Sequence, residues 1–376
     1  DIKGVRGVTP MLISARAAGK TVFFISPENS AEAAFLEGIT VYTPQNLQQL
    51  VRFFKGEFPL QPIIHTSWQE LRCRQKPQAD FQYIKGQMAA KRAAEIAAAG
   101  GHNLLLIGPP GSGKTMLARA IPSILPDMTF EEALEATKIH SISGTLESGI
   151  LTERPFRCPH HTASIAALTG GGTKAKPGEV SLAHNGVLFL DELPEYNRNA
   201  LEALRQPLED GVITVSRVFG SMAYPANFML VASMNPCPCG NYGSKTKKCT
   251  CTPAMIQKYL SKISGPLLDR IDLQIEVDSV TYDDMTDVSR GESSAEIKKR
   301  VQHAREIQNR RFRYTPFYCN AQMNAEMIKQ YCVLDQASEK LLKQAFASLN
   351  MSARGYHRIL KVARTIADLE NSPGIA

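Results

Sequence analysis

A chain of 376 residues, 43% apolar and 21% charged, has the material for a sizeable core and, at roughly 150 residues per domain, for two or three domains. That balance excludes a disordered chain, a collagen and a small disulfide scaffold. The net charge of +7 permits nucleic-acid binding without demanding it.

Along the chain, residues 1–60 alternate short β-like runs (21–25 and 39–42) with helical patterns, a small α/β piece too short for a core of its own. Residues 61–79, with Trp68 and a polar run at 72–77, read as a linker. From Asp80 to about Val277, helix and strand patterns alternate across Gly-rich breaks, as expected of a parallel sheet covered by helices. From about Ser293 the pattern is helical, at 294–313, 324–331, 335–349 and 354–370, as expected of a separate domain. The fold class is therefore α/β: a core with its parallel sheet between helices, an all-helical C-terminal domain, and a small N-terminal α/β piece. The expected domains are 1–70, 80–285 and 292–376. No apolar run approaches the roughly 18 residues of a membrane-spanning helix, and no membrane partner is expected. The chain opens on Asp1 without a signal peptide, so sequence N-terminal to it is expected to be missing.

The strongest motif is G-x-x-x-x-G-K-T at residues 108–115, Gly108-Pro109-Pro110-Gly111-Ser112-Gly113-Lys114-Thr115. An apolar strand precedes it and an amphipathic helix follows, which is the context the motif needs. The glycines let backbone N–H groups wrap phosphates. Lys114 should reach the β- and γ-phosphates of ATP, and Thr115 should ligate Mg²⁺. A second apolar strand, 186–190, ends in Asp191 and Glu192. Asp191 would hold Mg²⁺ and Glu192 would polarise the attacking water, because phosphoryl transfer needs a positioned nucleophile. Asn235 follows a third apolar strand and either orients that water or makes an Asn-Pro turn.

Four of the eight cysteines cluster as C-x-C, nine residues, C-x-C at Cys237, Cys239, Cys249 and Cys251. This points to a reducing compartment, the cytoplasm, and to a tetrahedral Zn²⁺ site or to reduced or redox-labile thiols. The lysines between them, Lys245, Lys247 and Lys248, would favour thiolates. The others are scattered: Cys73, Cys158, Cys319 and Cys332. Cys158 with His160 and His161 lacks a fourth ligand and reads as structural.

Taken together, the phosphate loop, the Asp-Glu pair, the strand-end Asn235, the Leu-Leu-Asp-Arg-Ile-Asp run at 267–272 and the helical C-terminus resemble an AAA+ ATPase. The run from Pro177 to Glu192 resembles the magnesium chelatase and MCM clade. Cys158-Pro-His-His, residues 201–211 and Asn235-Pro-Cys-Pro-Cys-Gly resemble the bacterial ComM/YifB family. The resemblance implies a ring, most readily a homo-hexamer, that hydrolyses ATP with Mg²⁺. It places an arginine finger at Arg270, where ordinary charge pairing is the alternative. It also places a sensor arginine that touches phosphate in cis at Arg354, with Arg358 one turn later as the fallback. Backbone and apolar contacts to adenine would come from Tyr83 and Ile84. The segment before residue 80 resembles the tail of a Lon protease-like domain, and no proteolysis is expected of it. The implied activity is a DNA motor, a branch-migration helicase of natural transformation acting on single-stranded or branched DNA. The alternative is a chelatase-like or chaperone-like ATPase that remodels a protein partner. Lys174 and Lys176, in a long insert at about 139–180, and Arg217, in a hairpin-like stretch at 212–224, are candidate phosphate contacts or solvated charges. The basic run at 296–313 reads as a solvated lid helix before it reads as a nucleic-acid face.

Overall fold

The computed structural model describes residues 1–72, 79–146, 149–172, 175–217, 220–244, 247–279, 286, 291–348 and 351–375. Cys73, Lys174 and Lys245 lie outside the described residues. In chain order the strands are β1 (Val22–Phe24), β2 (Thr40–Tyr42), β3 (Leu104–Ile107), β4 (Phe156–Arg157), β5 (Gly170–Gly171), β6 (Lys176–Pro177), β7 (Val187–Leu190), β8 (Val212–Arg217), β9 (Gly220–Pro225), β10 (Met229–Met234) and β11 (Leu273–Glu276).

Three apolar runs, Leu104–Ile107, Val187–Leu190 and Met229–Met234, show no polar alternation because both faces of their strands are covered. They form the centre of a parallel sheet of order β11-β3-β10-β7-β4. Leu104 pairs with both Val231 and Leu273, and Val187 pairs with both Met229 and Phe156. Ile107 and Met234 therefore end together at one edge of the sheet, and Asn103 and Asp272 enter together at the other. Asn103 fastens that entry edge. Its Nδ2 donates to Arg270 O at 2.7 Å, its Oδ1 accepts from Leu230 N–H at 2.8 Å, and its own N–H donates to Asp272 Oδ2 at 3.1 Å.

One face of the sheet is covered by the helix Met88–Gly100, whose Ala90, Ala93, Ala94, Ala97 and Ala98 are buried. Their small side chains let a second layer in. Ile297, Val301 and Ala304 of the helix Ser294–Arg311 join the same core cluster. The other face carries Leu188, Leu190, Leu230 and Ala232 against Leu201, Leu204, Tyr259 and Leu267.

The C-terminal helices Ser294–Arg311, Ala325–Tyr331, Gln336–Ser348 and Ala353–Leu369 follow the sequence pattern closely, but they are not detached from the core. Arg305 and Gln308 donate to Ala99 O at 3.2 and 3.1 Å, and Arg305 also reaches Ala98 O. They satisfy carbonyls that the end of Met88–Gly100 would leave unpaired. Lys298 pairs with Asp127, Arg300 with Glu95 and Glu292, and Arg311 with Asp368. The basic run is therefore only partly a solvated face. Four of its seven Lys and Arg, Lys298, Arg300, Arg305 and Arg311, hold the lid to the core or to itself, and Lys299, Arg310 and Arg313 are left exposed.

At the N-terminus β1 and β2 pair in parallel, and Val8, Leu12, Phe35, Leu36 and Val41 pack against Met128, Ala133 and Ile150 of the core. The piece borrows its core, as its length requires. Within the segment read as a linker, residues 61–72 are more than that, since Trp68–Arg72 is helical and Trp68 meets Phe130 edge-on at 5.8 Å. The stretch at 139–180 is likewise not a single insert, because β4 within it extends the central sheet and only β5 and β6 form a separate hairpin. No helix among the described residues is long and apolar enough to cross a membrane.

Candidate active site

The strand ends at Ile107 and Met234 open onto the phosphate loop. Gly108 has no room for a side chain, since a Cβ would lie 2.2 Å from Val277 O. Gly111 and Gly113 take φ of 77° and 87°, which β-carbons disfavour. The loop turns Lys114 back over itself. Its Nζ donates to Gly108 O at 2.7 Å and Pro109 O at 2.8 Å, and lies 3.4 Å from Asn235 Oδ1. Burial lowers the Lys114 pKa, while Asp191 and Glu192 nearby oppose that shift.

Thr115 Oγ1 donates to Asp191 Oδ2 at 3.0 Å, so the two oxygens expected to hold Mg²⁺ are in contact. Hard oxygen donors of this kind suit Mg²⁺, which is bound through one or two protein ligands plus phosphate. Glu192 follows with φ 54° and ψ 50°, a left-handed conformation that costs roughly 1–2 kcal/mol for a residue with a β-carbon. Its N–H is held by Asp191 Oδ1 at 3.2 Å and Ser233 Oγ at 3.4 Å. Ser233 also donates a short hydrogen bond to Asp191 Oδ1. Sequence reading missed Ser233, although a buried serine in the apolar strand β10 was the available signal. It missed Gln87 too, whose Nε2 ties Ser112 O and Asp278 O across the loop. Near this site Ile84 is buried in the core and Tyr83 is 71% exposed.

The arginines lie elsewhere. Asn103, Gly186, Phe228 and Asp272, each immediately before a strand of the sheet, line a cavity of about 580 Å³ together with Arg270 and Arg354. No residue of the phosphate loop lines it. A four-residue strand, roughly 13 Å, separates the two edges. Arg270 pairs closely with Glu209 and donates to Pro266 O at 2.7 Å. Arg354 reaches the same carboxylate at 3.9 Å. Arg358 donates to Leu268 O and Ile271 O, clamping the loop that carries Arg270. The expectation that Arg354 touches phosphate in its own subunit is thus corrected, because it stands with Arg270 at the strand-entry edge and Lys114 stands at the exit edge.

The four clustered cysteines come together, with their sulfurs within 4.8 Å of one another. Cys237 and Cys239 are 3.4 Å apart, and each lies 3.6–3.7 Å from Cys249. Four sulfurs at the usual Zn–S bond length of about 2.3 Å stand about 3.8 Å apart in a tetrahedron, so the donor set fits Zn²⁺. Backbone N–H groups of Thr250 and Asn241 hold the Cys239 thiol down to about 5, whereas burial and the neighbouring thiols push those of Cys249 and Cys251 up. The loop abuts the phosphate loop, since a Cβ on Gly240 would sit 2.5 Å from Pro110 Cδ. Lys247 and Lys248 are exposed beside it. Cys158 is exposed, and the adjoining His161 faces Glu192 rather than a metal site.

A parallel sheet with this loop, acid pair and strand-end asparagine at its exit edge, and a helical lid behind it, defines a AAA+ phosphate-loop protein. Residues 80–285 match the family described as magnesium chelatase, subunit ChlI, and residues 291–376 match its C-terminal counterpart. The chain is 44% identical over 379 residues to the competence protein ComM of Haemophilus influenzae, covering all of this chain and 73% of that protein. It is 42% identical over 373 residues to YifB of Escherichia coli, covering 99% and 72%. Identity to the magnesium-chelatase 67 kDa subunit of Chlorobaculum parvum is 32% over 163 residues, 42% of this chain and 23% of that one. The chain belongs to the ComM/YifB family of magnesium chelatase-like AAA+ proteins. ATP and Mg²⁺ are the ligands that this family implies.

Replacing Ser233 with alanine removes the hydroxyl that fixes both acids. A loss of about one charge-assisted hydrogen bond, roughly 1.5 kcal/mol, corresponds to about a tenfold fall in ATP turnover. Steady-state hydrolysis checks this, and a wild-type rate refutes a role for Ser233 in holding the acids.

Proposed function

We propose that the protein is an Mg²⁺-dependent ATPase that works as a ring of identical subunits and acts on DNA, in the manner of a branch-migration helicase of natural transformation. One observation carries the ring: Arg270 and Arg354 stand at the opposite edge of the sheet from Lys114. Within one subunit no arginine of this pair reaches the phosphates, whereas a second copy would bring both to them. Lys114 would bind the β- and γ-phosphates and Glu192 would orient the attacking water with Asn235. Bound Mg²⁺, held by Thr115 and Asp191, would neutralise the charge that develops on the phosphates. Arginines delivered from a neighbour contribute roughly 10³–10⁵ in rate where such fingers are measured.

Action on DNA is supported by the 44% identity to a protein named for competence, by the net positive charge and by two hairpins, β5–β6 and β8–β9. Lys176 is exposed on the first, and Arg217 lies on β8 paired through its backbone with Gly220. A second reading, a motor that remodels a protein, is favoured by the inward engagement of the basic lid helix and by the match to a chelatase subunit. The four cysteines would hold one Zn²⁺ and brace the phosphate loop through Gly240.

Mixing Lys114→Ala with Arg270→Ala chains tests the ring, because each is inactive alone and a mixed interface contains one intact site. Hydrolysis should return on mixing, and its failure to return would refute shared sites. In the same assay single-stranded and branched DNA should stimulate the unmutated chain, with the stimulation fading as salt rises. An assembled ring that ignores DNA would favour protein remodelling.

The purified protein should carry one zinc per chain by elemental analysis, and Cys237→Ser with Cys249→Ser should lose it. Full-length protein purified without chelator and lacking zinc would leave the four cysteines as thiols.

A further inference from the structure

His102 is fully buried and belongs to none of the motifs of the phosphate site. It stands between the end of the helix Met88–Gly100 and the start of β3, in the run Gly100-Gly101-His102-Asn103. The chain gives up a side chain to seat it. A Cβ on Gly100 would lie 2.2 Å from His102 Nε2 and 2.5 Å from Thr365 Oγ1, so glycine is needed there for room.

The imidazole makes one contact on each side. Nε2 is 2.8 Å from Thr365 Oγ1, on the lid helix Ala353–Leu369. The Thr365 hydroxyl donates to Lys361 O at 3.0 Å, so it accepts at His102, whose Nε2 carries the hydrogen. Nδ1 lies 3.4 Å from Asp272 Oδ2. Burial raises the pKa of the Asp272 carboxyl, but His102 and the Asn103 N–H lower it by more, and the group stays a carboxylate.

Each contact opens onto a larger set. On the lid side, Asn320 Nδ2 donates to Thr365 Oγ1 at 3.0 Å and to Asp368 Oδ2 at 2.8 Å. Asp368 in turn accepts from Arg311 and Arg364, so Thr365 is tied to the frame of the lid. On the core side, Asp272 follows Arg270 by two residues, and Asn103, next to His102, holds both through Arg270 O and Asp272 Oδ2. Arg358 of the same lid helix grips Leu268 O and Ile271 O in that loop. The lid thus holds the Arg270 loop at its surface through Arg358 and from the interior through His102. An apolar side chain would fill the interior position at less desolvation cost. A hydrogen-bonded polar one holds the two elements in a single relation, which apolar packing does not specify.

We propose that His102 is a positioning residue for Arg270, locking the Arg270 loop to the lid helix in the place from which the arginine is presented to the nucleotide of a neighbouring subunit. The inference rests on the shared-site reading of the ring, and no bond is made or broken in it.

The test uses the full chain, steady-state ATP hydrolysis and mixtures of variants. His102→Leu fills the position and loses both contacts. Its kcat should fall about tenfold, with binding of a fluorescent ATP analogue unchanged. Mixing it with Lys114→Ala should restore hydrolysis severalfold, because the His102→Leu chain supplies an intact phosphate loop and the Lys114→Ala chain an intact arginine. Mixing it with Arg270→Ala should restore nothing, because both chains lack a placed arginine. A general loss of structure would not sort the variant into the Arg270 group. Recovery with Arg270→Ala, recovery with neither partner, or an unmutated kcat would each overturn the proposal. If His102→Leu does not bind the analogue, Thr365→Val, which keeps the shape and removes the hydroxyl, takes its place with the same outcomes. The mixture of Lys114→Ala with Arg270→Ala separates the two readings. If it stays inactive, the shared site fails and this inference with it. If it is active while Lys114→Ala does not rescue His102→Leu, only the positioning role fails.

Discussion

Every strand of the central sheet runs the same way, so each segment leaving a strand leaves at one edge and each segment entering arrives at the other. From this one constraint the arrangement of the molecule follows. The exit edge collects the phosphate loop, the acid pair and Asn235. Ligands of open parallel sheets bind at this edge because the turns there bring unpaired backbone N–H groups together. The entry edge collects Asn103, Asp272 and the loop bearing Arg270. The two sets stand at opposite edges of the sheet within one chain.

The exit edge is held by short polar contacts whose cost is met by packing elsewhere. Glu192 in a left-handed conformation and Lys114 turned onto backbone carbonyls are unfavourable in isolation. They persist because β7 and β10 are fully buried and leave the loop ends no other course. Ser233 shows how closely core and chemistry are joined, since one residue of a buried strand bonds both acids. The lid contributes from behind through Arg305 and Gln308, which finish the helix Met88–Gly100 and so fix the layer on which β3 rests.

Four cations of the basic lid helix are placed for internal use. Lys298, Arg300 and Arg311 have carboxylate partners, and Arg305 is buried against carbonyls. Periodicity alone suggested a solvated basic face there. Partners such as Asp127, Glu95 and Asp368 are distant in sequence or on another helix, so the pairing could not be read from i, i+4 spacing. A mild net charge says little about which cations remain to meet a partner.

The sequence by itself determined what depends on neighbours along the chain. The phosphate loop at 108–115, the Asp191–Glu192 pair after its strand, the cysteine spacing and the four lid helices were legible because local sterics, turn chemistry and hydrophobic period set them. Only the tertiary structure decided what depends on how strands are ordered and which way they run. It placed Arg354 with Arg270 at the far edge, made residues 61–72 part of the packing, and gave four cations of the basic helix partners. It also brought Ser233 and His161 to Glu192. The physical reason is that pairing of β7 with β10 and with β4 joins residues 42 and 31 positions apart, and no local preference of the chain encodes which neighbour a strand will take.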